Sequence, residues 1–179
     1  MKINNISIKS LAMMLGAIVF SSNSFAQEKP ELSDPEVAFV AVTANQIDID
    51  FASIAKQKSK DAAVVEFAKT MERDHKAVIA QAAALAKKLG VTPKNNDVSK
   101  GLLSGAEKTK KSLMAKSGAA FNKAYIDNEV AYHKSVISAV ESLLIPETEN
   151  SELKQLLENV VPALKAHLAH AEMLQKNYN

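Results

Sequence analysis

The chain has 179 residues, of which 47% are hydrophobic and 23% charged, a composition that suits one folded domain. It contains no cysteine, which excludes disulfides, iron–sulfur clusters, covalently attached c-type haem and thiol catalysis. The formal charge of +2 equals the contribution of Lys2 and Lys9, so the rest of the chain is balanced and gives no electrostatic reason to expect nucleic acid as a partner.

Those two lysines open the first recognisable pattern. Leu11 to Phe20 is apolar apart from one glycine, and Ser24-Phe25-Ala26 places small residues at the −3 and −1 positions of a cleavage site. The pattern predicts a secretory signal peptide over residues 1–26, cleaved after Ala26, with an apolar run too short to span a membrane. The expected address is therefore exported and periplasmic, with no membrane insertion of the mature chain. Cleavage leaves 153 residues carrying 20 basic and 20 acidic side chains. A chain of about 150 residues can bury roughly 68–70% of its unfolded surface, so it needs no disulfide. Residues 27–33 are a short leader, and 34–179 form the expected domain.

Helix A is predicted from Asp34 to Gln57. Ser33-Asp34-Pro35-Glu36 has a capping residue before a first-turn proline, and Val37, Val40, Ala44, Ile47, Phe51 and Ile54 follow at steps of three and four. Lys58 to Asp61 is a tight polar break that favours an antiparallel neighbour. Helix B then runs to Leu89, with Val64, Ala68, Met71, His75, Val78, Ala82 and Leu85 on one stripe, and Gly90 with Pro93 as its stop. A shorter helix is expected from Val98 to Lys116, interrupted or bent near Gly101 and Gly105, and long enough to carry the chain back along the bundle. Helix C spans Ala119 to Leu144, with Ile126, Val130, His133, Ile137 and Val140 in one row; Ile145-Pro146 is expected to end it. Helix D opens at Asn150-Ser151 and carries Leu153, Leu157, Val160, Leu164, His167, Ala171 and Leu174, with a kink expected near Pro162. The class is all-α: a four-helix bundle with a short crossover helix between B and C.

The residues able to carry chemistry lie near mid-bundle. Counting from the hairpin turns puts Asp48 level with Glu72, and Glu129 level with His167, with His75 and His133 about one turn away. Carboxylates among imidazoles suit a divalent metal such as zinc, copper or iron. The candidate ligands are Asp48, Glu72, His75, Glu129, His133 and His167. Diiron bundles use two Glu-x-x-His pairs. Glu72-Arg73-Asp74-His75 supplies one, but Leu164 stands three residues before His167, so the second is missing. Three readings stay open: a metal-binding or stress-protection protein, an envelope interaction module whose histidines and carboxylates fix the core, and a diiron oxidase-like enzyme. No catalytic residue is assigned. Asp74 and Arg73 are expected to face outward or pair with neighbours, and His170 to be exposed.

The motifs also carry a resemblance. Ala44-x3-Asp48 with Ala55, Phe67-Ala68-x2-Met71-x2-Asp74-His75, Phe121-x3-Tyr125-Ile126 with His133, and Pro162-x-Leu164-x2-His167-Leu168 resemble an exported bacterial domain-of-unknown-function family, often labelled outer-membrane or periplasmic protein. The resemblance covers essentially the whole mature chain and implies a ferritin-like four-helix fold and an exported address. It implies no activity. It points to Asp48, His75, His133 and His167 as site positions, with Asp48 standing where family members usually carry glutamate.

Overall fold

A computed structural model describes residues 31–178; the expected signal peptide and most of the expected leader lie outside the described residues. Six helices follow in order: α1 Asp34–Lys58, α2 Ala62–Leu89, α3 Asp97–Met114, α4 Gly118–Ala139, the short α5 Ile145–Glu147 and α6 Ser151–Gln175. No strand occurs among the described residues. α1, α2, α4 and α6 are the four long helices of a ferritin-like bundle, and α3 is the crossover.

Local chemistry fixes the helix ends. At the start of α1, the Glu36 carboxylate accepts from the Ser33 backbone N–H at 3.1 Å in a reciprocal capping box. Asp61 starts α2 by accepting from the N–H groups of Ala63 and Val64, and Asn150 starts α6 by accepting from those of Glu152 and Leu153. α2 ends on Gly90 at φ 66°, a left-handed position that favours glycine.

Contacts between these ends set the topology. The Asp34 carboxylate accepts from the N–H groups of Glu149 and Asn150 at 2.9 and 3.0 Å, joining the start of α1 to the turn before α6. At the other end, Lys58 donates to the Met114 carbonyl and Ser59 pairs with Asn122 in the first turn of α4. The α2–α3 connection returns to the start of α1, where Lys94 N–H donates to the Pro35 carbonyl and Asn96 to that of Glu36. α3 therefore carries the chain back down the bundle, and α4 runs parallel to α2. The crossover expected from its length is present, and its direction decides what level counting could not.

Two local features differ from the sequence expectations. α3 runs unbroken through Gly101 and Gly105, because a single glycine costs a helix only about 1 kcal/mol. Pro146 does not end the helical path of α4 at Ile145. A π-helical turn, Val140–Leu144, precedes it and continues into α5. Such a widened turn changes the hydrogen-bond register where the proline N–H is missing, so the helical path continues. α6 continues as one helix through Pro162, the position where a kink is expected.

Two apolar clusters fill the interior. One gathers Phe51, Phe67, Met71, Phe121, Tyr125 and Ile126 toward the α1–α2 turn; the other joins Val37, Val40, Val140, Leu144, Leu153 and Leu157 at the opposite end. Each fully buried large side chain contributes about 1.5–3 kcal/mol. Among the described residues, α1 is the one helix long and apolar enough by composition to cross a membrane, and half of its most apolar window is buried in this core. The polar residues of interest lie between the two clusters.

Candidate metal centre

Each of the four long helices delivers one side chain to the same buried level. α1 brings Asp48, α2 His75, α4 His133 and α6 His167. Their relative exposures are 0%, 4%, 1% and 8%. The imidazole rings are mutual neighbours, with centroids 5.8 Å apart for His75 and His133, 5.3 Å for His75 and His167, and 5.5 Å for His133 and His167. One ligand-capable nitrogen from each lies within 4.8 Å of the others. Asp48 Oδ2 stands 3.2 Å from His75 Nε2 and 3.5 Å from His133 Nε2.

The outward nitrogens are already engaged. His75 Nδ1 is 2.7 Å from Asn45 Oδ1, an amide oxygen that only accepts, so this nitrogen carries the proton. His133 Nδ1–H donates to the Glu129 carbonyl at 3.0 Å. His167 Nε2–H donates to the Asp74 carboxylate at 3.0 Å, and Arg73 holds that carboxylate from its other side. In the neutral tautomers this leaves lone pairs on His75 Nε2, His133 Nε2 and His167 Nδ1. Those three nitrogens, and both Asp48 oxygens, are buried without a hydrogen-bond partner. The approach of Asp48 to His75 is close enough for an ion pair but lacks the alignment of a hydrogen bond. Buried polar atoms without partners are rare, and five facing one another call for a physical cause.

Electrostatics favour that ligand state. Burial lowers the His133 and His167 pKa values, opposed by Asp48 and Asp74 respectively, and the net shift favours the neutral form of both imidazoles. Burial pushes the Asp48 carboxyl up, but the charge and hydrogen-bonding capacity of the facing imidazoles in their protonated form, His75 first, outweigh it and hold the group below its ordinary range. Asp48 is thus held as a carboxylate that faces the three rings.

Glu129 is also fully buried, with Oε2 3.7 Å from His133 Nδ1 and neither oxygen hydrogen-bonded. Asp48, Glu129 and His133 form a second close group. Burial, and then the Asp48 charge, push the Glu129 carboxyl well above its usual range, which favours its neutral form beside Asp48. Glu72 does not join either group. It lies on the flank of α2, ion-paired with Lys56 and Lys76, so Glu72 and His75 are not assembled as a ligand pair. His170 is half-buried with its ring edge on Phe67, centroids 5.1 Å apart.

Asn45 and Asp74 each hold a ring of the cluster; the sequence does not single out Asn45, and from sequence Asp74 is expected only to face outward or pair with neighbours. Asn45 precedes Asp48 by three residues and so shares its face. Asp74 orients His167 across the bundle, a contact between helices that no spacing within α2 announces.

Comparison with known proteins gives a family and a fold. The family described as "Domain of unknown function (DUF4142)" matches residues 20–174. Among solved structures, a DUF305 fragment from Deinococcus radiodurans is similar at a TM-score of 0.69 and 14% identity, covering 83% of this chain and 99% of that one. A second, described as CopM in the Cu(II)-bound form, is similar at a TM-score of 0.63 and 15% identity, covering 84% and 100%. At these identities the likeness is one of fold. A comparison with curated proteins returned no match.

Proposed function

We propose that this chain, which belongs to the DUF4142 family, binds a transition-metal ion through His75, His133 and His167, with Asp48 as the fourth ligand. The observation that carries this reading is the set of three buried ring nitrogens facing one another without partners while the opposite nitrogen of each ring is held. Partners on the far nitrogen fix the tautomer and ring orientation of metal-bound histidines. Ligands about 2.0–2.1 Å from a tetrahedral ion lie roughly 3.3 Å from one another. The separations of Asp48 Oδ2 from two of the nitrogens, 3.2 and 3.5 Å, fit that edge.

Three imidazoles and one carboxylate suit zinc(II) or copper(II) better than iron. The fold shared with a Cu(II)-bound protein supports copper as the first ion to try. The signal-like N-terminus supports an exported address, so the reading is of a periplasmic metal-holding protein with no assigned catalytic residue. A diiron oxidase is disfavoured, because Glu72 is turned toward Lys56 and Lys76.

The test is metal content after purification without an affinity tag, followed by calorimetric titration of the stripped protein with copper, zinc and iron. One equivalent of tightly bound copper or zinc is expected, lost in the His75→Ala, His133→Ala double variant. Equally weak binding by wild type and double variant overturns the reading and leaves the histidines as buried struts.

A further inference from the structure

The metal site is the polar end of a larger space. A cavity of about 510 Å3 lies among α1, α2, α3, α4 and α6, and Asp48, His75, His133 and His167 are in its wall. Away from that end the wall is predominantly apolar, formed among others by Ala41, Ala82, Val136, Leu144, Leu153 and Leu157, with Gln81, Thr109 and Ser135 as polar exceptions. The lining reaches from His133 to Leu144 along α4 and from His167 to Leu153 along α6. At about 1.5 Å per residue the apolar part is therefore roughly 16–21 Å long. A second observation concerns the wall on α2. Every buried residue of this helix lies between Val64 and His75, and from Lys76 to Leu89 none is buried. The half of α2 that flanks the apolar space thus carries no fully buried residue.

We propose that this cavity binds a long-chain carboxylate, with its hydrocarbon tail along the apolar wall and its carboxylate at the histidine end. Sites of this volume, apolar except for a few convergent polar groups at one point, are the usual form of a pocket for an apolar molecule with one polar head. The elongated shape selects a chain over a compact ring system. The head assignment rests on the proposed metal site. A divalent ion beside the single Asp48 carboxylate leaves net positive charge at the buried end, which attracts an anion; Asp48 alone repels one.

Laurate is the probe, measured by displacement of a fluorescent fatty acid from stripped and zinc-loaded protein, with metal uptake followed separately by calorimetry. Zinc is expected to tighten laurate binding at least tenfold and to leave the neutral dodecanol unchanged. Ala82→Trp and Val136→Phe fill the tail space without touching a proposed ligand. Both are expected to lose laurate and keep zinc, and two separate sites guard against one variant failing to fold. Zinc uptake without laurate uptake overturns the proposal and leaves the metal reading standing. Laurate binding that zinc leaves unchanged overturns the head assignment, and failure of both zinc and copper uptake overturns both readings. A dimer that takes up no laurate and is split by Ala82→Trp assigns the cavity to a second copy of the chain, and likewise overturns the proposal.

Discussion

Each histidine of the cluster has one nitrogen held by a neighbour and one free, and the holding neighbours are as informative as the rings. Removing a partner of this kind lowers metal affinity about 10–100-fold, since the ring regains rotational and tautomeric freedom. Asn45→Ala and Asp74→Ala are therefore expected to weaken copper or zinc binding by that factor with stoichiometry kept at one, read by competitive titration. Loss of stoichiometry would make either residue a ligand instead. Asp48, His75, His133 and His167 were legible from sequence because they fall near one level on amphipathic stripes. Glu72 was misplaced by the same counting: height along a helix does not give the angle around it, and its neighbours Lys56 and Lys76 turn it outward. Those lysines lower the Glu72 pKa from the ordinary 4.5 to about 2. A depressed carboxylate pKa stabilises the fold fully above about 4.5, and the contribution disappears as pH falls through about 2. Glu72→Gln is thus expected to lower the urea midpoint at pH 7 and to match wild type near pH 2, whereas an equal deficit at both pH values would assign the loss to packing.

At the scale of elements, the bundle depends on how its ends are tied. Asp34 belongs to the first turn of α1, yet its carboxylate accepts from two backbone N–H groups at the entrance to α6. Asn150, beside it, caps α6. Losing an N-cap side chain costs about 1 kcal/mol, and Asp34→Ala leaves two donors with water alone. Asn150→Ala and Asp34→Ala should each lower the unfolding free energy by about 1–2 kcal/mol in urea titrations. Because the two residues share one turn, the double variant should lose less than the sum. Additive losses would place the contributions in separate contacts. The caps themselves were legible, since Ser33, Asn150 and Gly90 carry their signals within a few residues. The π turn before Pro146 was not, because a proline marks where a backbone donor is missing without showing whether the helix stops or widens. Nor was the continuity of α3, whose glycines are tolerated singly and stand where an added Cβ would meet open space.

At the scale of the molecule, stability is distributed unevenly, and the site sits on the boundary. α2 is anchored by Val64, Phe67, Ala68 and Met71 against the cluster near the α1–α2 turn, and His75 is its last buried residue. Hydropathy alone hid this division, because Val78, Ala82 and Leu85 continue the apolar stripe but face the cavity or stay only half-buried. Segments with few buried contacts open locally at lower free energy than the core. Amide hydrogen exchange on the stripped protein should therefore divide α2 near His75, with slow exchange from Val64 to Met71 and fast exchange from Ala77 to Leu89. A metal held by residues of α1, α2, α4 and α6 binds the folded state alone, and at a thousandfold excess over its Kd it adds about 4.1 kcal/mol. That gain should appear as slower exchange around Asp48, His75, His133 and His167 on all four helices, and as a higher Tm that chelator reverses. In His75→Ala, His133→Ala both effects should vanish. Slowing confined to α2 would mean that the ion does not bridge the bundle, and that the shared level of the four residues is a matter of core packing alone.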